Sequence, residues 1–278
     1  MKYRIVSDSS SNLYNLPGNI EYRTVPLKIL VDDIEFVDEE GINIADLTAH
    51  MKTTKNPSST SCPNSYDWMQ AFDGADTIFA VTISAALSGS YNSAMHAKEV
   101  FLGENPDANV HIINSKATGG TMQLILERLQ ECMEKGLSFD AIVEAITEYQ
   151  KHAKILFALE SLNNLAKNGR CNPALAKIAG ILGIRFIGKA SDEGTIQQAA
   201  IARGAKKTIS TIYSEMEKNG YIGGKVVINH CLNPESAFKL KDYILVKYPN
   251  ADIKVCQSGG LCSYYSEEGG MIIGFEDL

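Results

Sequence analysis

No apolar run in this sequence approaches the roughly 20 residues that a membrane-spanning helix requires. Positive charge is also scarce, because 26 lysines and arginines stand against 33 aspartates and glutamates, for a net charge of −7. A chain this acidic is poorly suited to bind nucleic acid through its phosphates. It also lacks the polybasic segment that holds a protein on an anionic membrane. We therefore expect neither a nucleic-acid partner nor stable membrane insertion.

Cysteine motifs and a leader segment are missing as well. Six cysteines are present, but no Cys-x-x-Cys pair occurs, so neither a zinc ribbon nor a thioredoxin-type redox centre is indicated. The short apolar stretch 3–6 runs directly into Ser7–Ser11, which leaves no hydrophobic region for a signal peptide. These features predict a cytoplasmic protein with reduced thiols.

Several signatures of nucleotide and metal enzymes are absent from the sequence. It contains no Gly-x-x-x-x-Gly-Lys-Ser/Thr loop, no Gly-x-Gly-x-x-Gly after the first predicted strand, and no His-Glu-x-x-His. The five histidines show no spacing typical of metal ligands. We therefore expect no metal and no cofactor.

The first half of the chain alternates predicted strands and helices. Apolar and β-rich runs predict strands over 3–6, 25–31, 77–83 and 110–113. Periodicity and capping residues predict helices over 44–53, 66–72, 90–102 and 120–135. Such alternation is typical of a mostly parallel sheet with helices on both faces.

The second half has a less regular pattern. An amphipathic helix is predicted over 140–152, and Asp192-Glu193-Gly194 marks a hairpin turn between strands 184–189 and 195–200. Further strands are predicted over 155–159, 226–229, 253–256 and 271–275, and helices over 161–167, 173–182, 206–218 and from Pro234. A length of 278 residues suits one large or two modest domains. We expect an α/β protein with domains over 1–150 and 151–278.

Hydroxyl-rich loops follow three of the predicted strands, at Ser7–Ser11, Ser84–Ser90 and Asn114–Lys116. Ligands of open α/β sheets bind outside the carboxyl ends of the strands, so we expect these loops to converge on one crevice. Ser88, Gly89 and Ser90 also precede a predicted helix, whose free N–H groups favour anions. Alternatively, Ser88 or Ser90 merely caps that helix.

Two further groups are candidates for holding an anion. Ser58–Ser61 supplies four consecutive hydroxyls, including those of Thr60 and Ser61, and Pro63 keeps this piece out of helical geometry. Arg170 follows a glycine typical of a helix end, and it can pair with a carboxylate or phosphate. The alternatives are a solvated linker and a solvated surface arginine.

A nucleophilic role for Ser88 is a separate hypothesis. A nucleophile elbow requires Gly-x-Ser-x-Gly, and the nearest stretch here is Ala86–Ser90, which has alanine in place of the first glycine and serine in place of the second. An activated serine also requires a base, and the sequence places no histidine beside Ser88. Hydroxyls without a base favour binding, but a serine hydrolase or acyltransferase stays an alternative.

The motifs together resemble those of the DegV family of bacterial fatty-acid-binding proteins, from end to end of the chain. The matching stretches are Ser7–Ser11, Thr60–Pro63, Leu87–Ala94, Asn114–Lys116 and Leu159–Cys171. Each motif alone is weak, whereas their order and spacing are specific. Cys62 stands where the family's Thr-Ser-Gln-Pro motif has glutamine.

The resemblance implies a two-domain α/β fold with an acyl chain buried between the domains. It implies that Thr60 and Ser88 bind the lipid carboxylate and that Arg170 lies near the headgroup. The other candidate ligand-binding residues are Ser9, Ser61, Gly89, Ser90 and Tyr265. Some members of the family present their fatty acid to a separate fatty acid kinase, and the binding protein is not itself an enzyme. We expect the acyl chain to contact apolar residues such as Ile178, Ile181, Leu182 and Phe186.

The C-terminal motif departs from the family pattern. Tyr265 stands where the family often has histidine, and Glu267 and Glu268 follow it. Carboxylates beside an anionic headgroup would repel it or acquire a raised pKa. The departure indicates a different headgroup, a different partner, or a loop that faces away from the ligand. A regulatory interaction protein with a merely structural lipid is a third hypothesis.

Overall fold

The computed structural model describes residues 2–179 and 183–278, except for the side chains of residues 178 and 179. Its strands are β1 (Tyr3–Asp8), β2 (Glu21–Val25), β3 (Lys28–Val31), β4 (Ile34–Val37), β5 (Ser59–Ser61), β6 (Thr77–Thr82), β7 (Asn109–Asn114), β8 (Ala153–Leu159), β9 (Ile184–Ala190), β10 (Ile196–Arg203), β11 (Val226–His230), β12 (Ile253–Gln257) and β13 (Met271–Glu276). Its helices are α1 (Ile44–Thr53), α2 (Ser65–Phe72), α3 (Ser90–Glu104), α4 (Gly120–Glu134), α5 (Phe139–His152), α6 (Asn163–Lys167), α7 (Pro173–Ala179), α8 (Ala205–Lys218), α9 (Pro234–Lys247) and α10 (Gly260–Ser266).

A four-stranded sheet has the order β2-β1-β6-β7, and every neighbouring pair in it is parallel. All six residues of β6 are buried, as expected of a parallel strand covered on both faces. The predicted parallel sheet is therefore confirmed. The single strand predicted over 25–31 is wrong, because the chain leaves this sheet at Pro26, which lacks a ladder N–H, and β3 joins another sheet.

A six-stranded sheet has the order β10-β9-β8-β13-β11-β12. Its strands run antiparallel to their neighbours except for the parallel pair β11 and β12. The predicted hairpin at Asp192-Glu193-Gly194 is confirmed by the antiparallel pairing of β9 with β10. The fold class is therefore α/β, with one parallel and one mixed sheet.

A small antiparallel sheet, in the order β4-β3-β5, completes the described strands. Neither β4 nor β5 is predicted from the sequence. Thr60 lies in the middle of β5, directly opposite Ile29 of β3. This pairing fixes the hydroxyl-rich segment, so it is not a free linker.

Helix α4 packs against both of the larger sheets. Its apolar residues join one buried cluster with Ile5 and Phe79 of the four-stranded sheet and with Val227 of the six-stranded sheet. The approach is close, because a Cβ atom at Gly120 would lie 2.5 Å from the Val227 carbonyl oxygen. Glycine at the start of α4 therefore lets the helix backbone rest directly on the six-stranded sheet.

The proposed division near residue 150 stays a prediction. The four-stranded sheet uses residues 3–114, and the six-stranded sheet uses residues 153–276. Helix α10, however, packs beside α1 and β3. Within the described ranges, no helix is both long enough and apolar enough to cross a membrane.

Candidate functional site

A cavity of about 290 Å³ lies between the six-stranded sheet and the loops that follow β6 and β7. Its wall draws residues from β5, from the loops after β6 and β7, from the six-stranded sheet and from α10. Pockets for small molecules typically span about 300 to 1,000 Å³, so this volume suits a small ligand that fills it closely.

The six-stranded sheet supplies much of the apolar wall of the cavity. Ile155, Phe157 and Leu159 alternate along β8 and all line the cavity. The residues between them, Leu156 and Ala158, join the cluster formed with α8 and α9 on the opposite face of the sheet. The predicted strand is thus buried on both sides, but only one face meets the cavity.

Hydroxyl groups from distant parts of the chain meet in another part of the wall. Thr60 Oγ1 and the Tyr265 hydroxyl lie 2.8 Å apart and share a hydrogen bond. Burial raises the pKa of the Tyr265 phenol, while the Thr60 hydrogen bond and the positive charge of Arg170 oppose that rise. The phenol therefore keeps its proton at neutral pH and can donate a hydrogen bond to an anion.

Arg170 is tied to the loop that carries Ser88. Its Nε donates to the Leu87 carbonyl oxygen at 3.1 Å, and its Nη1 donates to the Asn168 carbonyl oxygen. The side chain is half-buried and lines the cavity. These contacts do not fit the alternative of a freely solvated surface arginine.

Ser88 and Gly89 bring the start of α3 to the cavity wall. The Ser88 hydroxyl accepts a 3.3 Å hydrogen bond from the Ser90 N–H, so it helps to cap α3 while lining the cavity. A Cβ atom at Gly89 would lie 3.2 Å from the sulfur of Cys62, which shows how closely this turn approaches the Thr60 segment. The structure thus brings Thr60, Ser61, Ser88, Gly89, Arg170 and Tyr265 together in one wall.

Ser90 and Ser9 lie behind that wall, outside the described lining of the cavity. The Ser90 hydroxyl donates to Asp8 Oδ2 at 2.7 Å. The Ser9 hydroxyl accepts the Leu27 N–H at 3.0 Å. The loop at Ser7–Ser11 is buried, so two of the three expected loops reach the cavity and this one supports them.

Asp8 is the centre of this supporting network. Its Oδ2 also accepts the Ile83 N–H at 2.9 Å, and its Oδ1 accepts the hydroxyl of Ser10. Complete burial raises the pKa of Asp8, and the hydrogen bonds from Ser10, Ser90 and Ile83 oppose that rise. The carboxyl group therefore joins the ends of β1 and β6 to the start of α3. We regard it as a positioning residue that sequence reasoning missed.

Asp38 holds helix α10 in place. Its Oδ1 accepts the Gly260 N–H at 2.5 Å and the Tyr14 hydroxyl at 2.7 Å, and its Oδ2 accepts the Leu261 N–H at 3.0 Å. Asn12 Oδ1 adds a 2.9 Å hydrogen bond from the Gly259 N–H. These contacts satisfy the first N–H groups of a helix that carries Tyr265 to the cavity. In the sequence, Asp38 looks like one member of a surface acidic group, and only the glycine pair 259–260 signals a helix start.

The two glutamates that follow Tyr265 point to other partners. Glu267 Oε1 accepts the Ser161 hydroxyl at 3.0 Å and the Asn164 N–H at 3.3 Å, at the start of α6. Glu268 Oε2 pairs with Lys52 Nζ at 2.6 Å. Of the three explanations offered for this departure, the geometry favours carboxylates that face away from the cavity.

Other expected site features have mixed outcomes. Phe186 is fully buried, but it packs beside Phe157 and does not line the cavity. The side chains of Ile178, Ile181 and Leu182 lie outside the described residues. In the described part of the chain, no histidine lines the cavity, and no cluster of His, Cys, Asp and Glu is placed to hold a metal.

Comparison with known proteins agrees with this arrangement of an α/β fold around an apolar cavity. The profile of a family described as uncharacterised proteins of the DegV family matches residues 2–277. A DegV domain-containing protein of Streptococcus pneumoniae strain R6 is 41% identical over 99% of both chains. The chain belongs to the DegV family.

Solved structures agree over the whole length. The Streptococcus pneumoniae Fatty Acid Kinase (Fak) B3 protein, loaded with linoleic acid, has a TM-score of 0.98 at 41% identity and covers 100% of both chains. A DegV family protein of Eubacterium eligens, loaded with heptadecanoic acid, has a TM-score of 0.96 at 41% identity, covering 99% of this chain and 100% of its own. A DegV family protein of Ruminococcus gnavus, refined with vaccenic acid, has a TM-score of 0.89 at 27% identity, covering 99% of each chain.

Proposed function

We propose that this protein binds one long-chain fatty acid, with the acyl chain in the cavity between the six-stranded sheet and the loops that follow β6 and β7. The observation that carries the proposal is an apolar cavity with a cluster of neutral donors at Thr60, Ser88 and Tyr265. Three structurally similar proteins, at 27% to 41% identity, were solved with fatty acids of related chemistry. Burial of each methylene contributes about 0.8 kcal/mol, so a long chain gains enough to offset the cost of association.

The carboxylate is held by the polar wall. Uncharged hydroxyls and the N–H groups at the start of α3 hydrogen-bond an anion without a buried counterion. Arg170 adds a positive charge close to Tyr265. Ser61 and Gly89 complete the wall, while Ser9 and Ser90 act indirectly, through Leu27 and Asp8.

The bound fatty acid serves as a substrate that is presented to a separate fatty acid kinase. A similar protein is named as the B3 protein of a fatty acid kinase. The present chain contributes the lipid and its carboxylate, and the kinase contributes the nucleotide. In this proposal the protein is a lipid-binding partner and not an enzyme.

The hydrolase alternative has less support. Ser88 reaches the cavity, but its recorded hydrogen-bond partner is the N–H of Ser90, and the described cavity wall contains no histidine to act as its base. A third hypothesis is a purely regulatory interaction protein. It is distinguished from a protein that delivers lipid by measuring whether kinase binding changes when the protein is loaded with lipid. We favour a protein that delivers its lipid to the kinase, because the hydroxyl groups that would hold the carboxylate lie in the cavity wall.

Organisation and location follow as parts of the same proposal. We place one domain at 1–150 and a second at 151–278, with the ligand between them, because both ranges contribute to the cavity wall. All six cysteines are free thiols, as is usual for proteins of the reducing cytoplasm, where we place this protein.

The decisive experiment is to identify the ligand that the protein retains. Protein purified from a bacterial host is denatured, and its extract is analysed by mass spectrometry. We expect one equivalent of a long-chain fatty acid, and delipidated protein should bind added palmitate. Protein that is empty and also rejects palmitate would refute the proposal. Covalent labelling of Ser88 by a fluorophosphonate would instead support the hydrolase.

A further inference from the structure

Strand β9 lacks a side chain at one position, Gly188, of the face that it turns toward the cavity. Phe186, Gly188 and Ala190 share this face because side chains alternate along a strand. Ala190 lines the cavity. Gly188 does not line it and contributes no side chain to the face. Something else must therefore fill the space above Gly188.

The ring of Phe157 fills that space. Phe157 of β8 is paired directly with Gly188 of β9, and it is itself part of the cavity wall. A Cβ atom at Gly188 would lie 2.2 Å from Phe157 Cε2 and 2.4 Å from its Cζ. The ring thus rests on the bare backbone of the neighbouring strand.

The ring has few ways to move if the gap is filled. A Cβ atom at Gly188 would also lie 2.7 Å from Phe186 Cε1, and Phe186 is fully buried. On its other side, Phe157 is paired with Ile272 of β13, which also lines the cavity. To restore ordinary contact the ring must withdraw by roughly 1 Å, and the open direction is into the cavity.

We propose that the pair Gly188 and Phe157 sets the capacity of the cavity and is therefore a specificity determinant for acyl chain length. This inference rests on the proposed function. With glycine at 188, the ring packs against the β9 backbone and leaves the cavity its present volume. With any larger residue, the ring occupies part of that volume. Long chains that fill the cavity lose contact or are excluded, whereas shorter chains leave room that the ring can enter.

The test compares Gly188→Ala with wild type in binding dodecanoic and octadecanoic acids to delipidated protein. We expect the ratio of the Kd for octadecanoic acid to that for dodecanoic acid to rise about tenfold or more. Gly103→Ala is the matched control, because Gly103 lies in α3 with nothing within 4 Å of an added Cβ atom. It should leave the ratio unchanged. Thermal unfolding of each variant checks that it is folded.

A second variant tests the inference should Gly188→Ala fail to fold. Phe157→Leu removes the ring, so it should move the same ratio in the opposite direction. In the double variant, Phe157→Leu should cancel the effect of Gly188→Ala on the ratio. Equal changes for both acids, or a ratio that neither variant moves, would overturn the inference and leave fatty-acid binding intact. A wild-type protein that binds neither acid would overturn the proposed function, and the inference with it.

Discussion

Thr60 Oγ1 and the Tyr265 hydroxyl share a 2.8 Å hydrogen bond across 205 positions of sequence. The bond joins a short edge strand, β5, to a short helix, α10, and both elements contribute to the cavity wall. Neither element is a stable unit on its own, because three- and seven-residue segments bury little surface. Their contact is therefore a property of the folded chain, and it defines where we place the carboxylate.

Removal of a single hydroxyl should weaken fatty-acid binding. For Thr60→Ala and for Ser88→Ala we expect a loss of about 1–3 kcal/mol each, or about 5- to 150-fold in Kd, because each variant removes a donor to a charged group. Thr211→Ala, on α8 and outside the cavity wall, is the control. Calorimetry with palmitate gives the affinities, and values equal to the control would refute the headgroup assignment.

Tyr265→Phe tests whether the two hydroxyls act together. The variant keeps the ring and removes the partner of Thr60, so we expect weaker palmitate binding than in wild type. The losses from Tyr265→Phe and Thr60→Ala should not add in the double variant, with a coupling free energy of about 0.5–3 kcal/mol. Strict additivity of the two losses would indicate that the hydroxyls act independently on the ligand.

Asp38→Ala should destabilise the protein through α10. The substitution leaves the buried N–H groups of Gly260 and Leu261 without their acceptors, at a cost of about 1–3 kcal/mol for each. Glu39→Ala changes the neighbouring exposed residue and should have little effect. Urea unfolding measures both variants, and a comparable stability for the two would show that Asp38 does not anchor the helix.

The pH dependence of stability should reveal the burial of Glu267. Burial raises the pKa of Glu267 in the folded state above the ordinary 4.5, which we take for the unfolded chain. At a pH between the ordinary pKa and the raised pKa, the folded protein therefore holds a proton that the unfolded chain has lost. Its contribution to stability is therefore fully present below about pH 4.5 and is lost as pH rises through the raised pKa. The free energy of unfolding of wild type minus that of Glu267→Gln should fall as pH rises above about 4.5.

Glu148 provides a control of opposite sign for that measurement. Its hydrogen bond with Lys151 lowers its pKa, so its contribution is present above the ordinary value and is lost as pH falls through the lowered one. The difference between wild type and Glu148→Gln should therefore rise with pH over the acid range. The same slope for both variants would contradict the assignment for Glu267.

Local signals in the sequence predicted much of the fold correctly. The continuous apolar run at 77–83 predicted the buried strand β6, and capping residues predicted the helix over 66–72, where Asn64 and Asp67 form a reciprocal pair of hydrogen bonds at the start of α2. Pro234 predicted the first turn of α9. These signals succeed because they depend on neighbours a few positions away.

The misses share a different physical origin. Helix α10 begins with glycines and has no apolar period, and it is fixed by Asp38 at a separation of 222 positions. Strands β4 and β5 exist because β3 pairs with both. The role of Ser90 was also hidden, since its hydroxyl is directed to Asp8 by the way β1 packs beside β6.

By itself the sequence determined the α/β class, most element bounds and the motifs that place this chain in the DegV family. Only the tertiary structure decided which hydroxyls reach the cavity, that Glu267 and Glu268 face other partners, and that Gly188 leaves room for a ring. The reason is that backbone preference and hydrophobic period act between near neighbours in the chain. The direction of a side chain depends instead on packing between segments that the sequence keeps far apart.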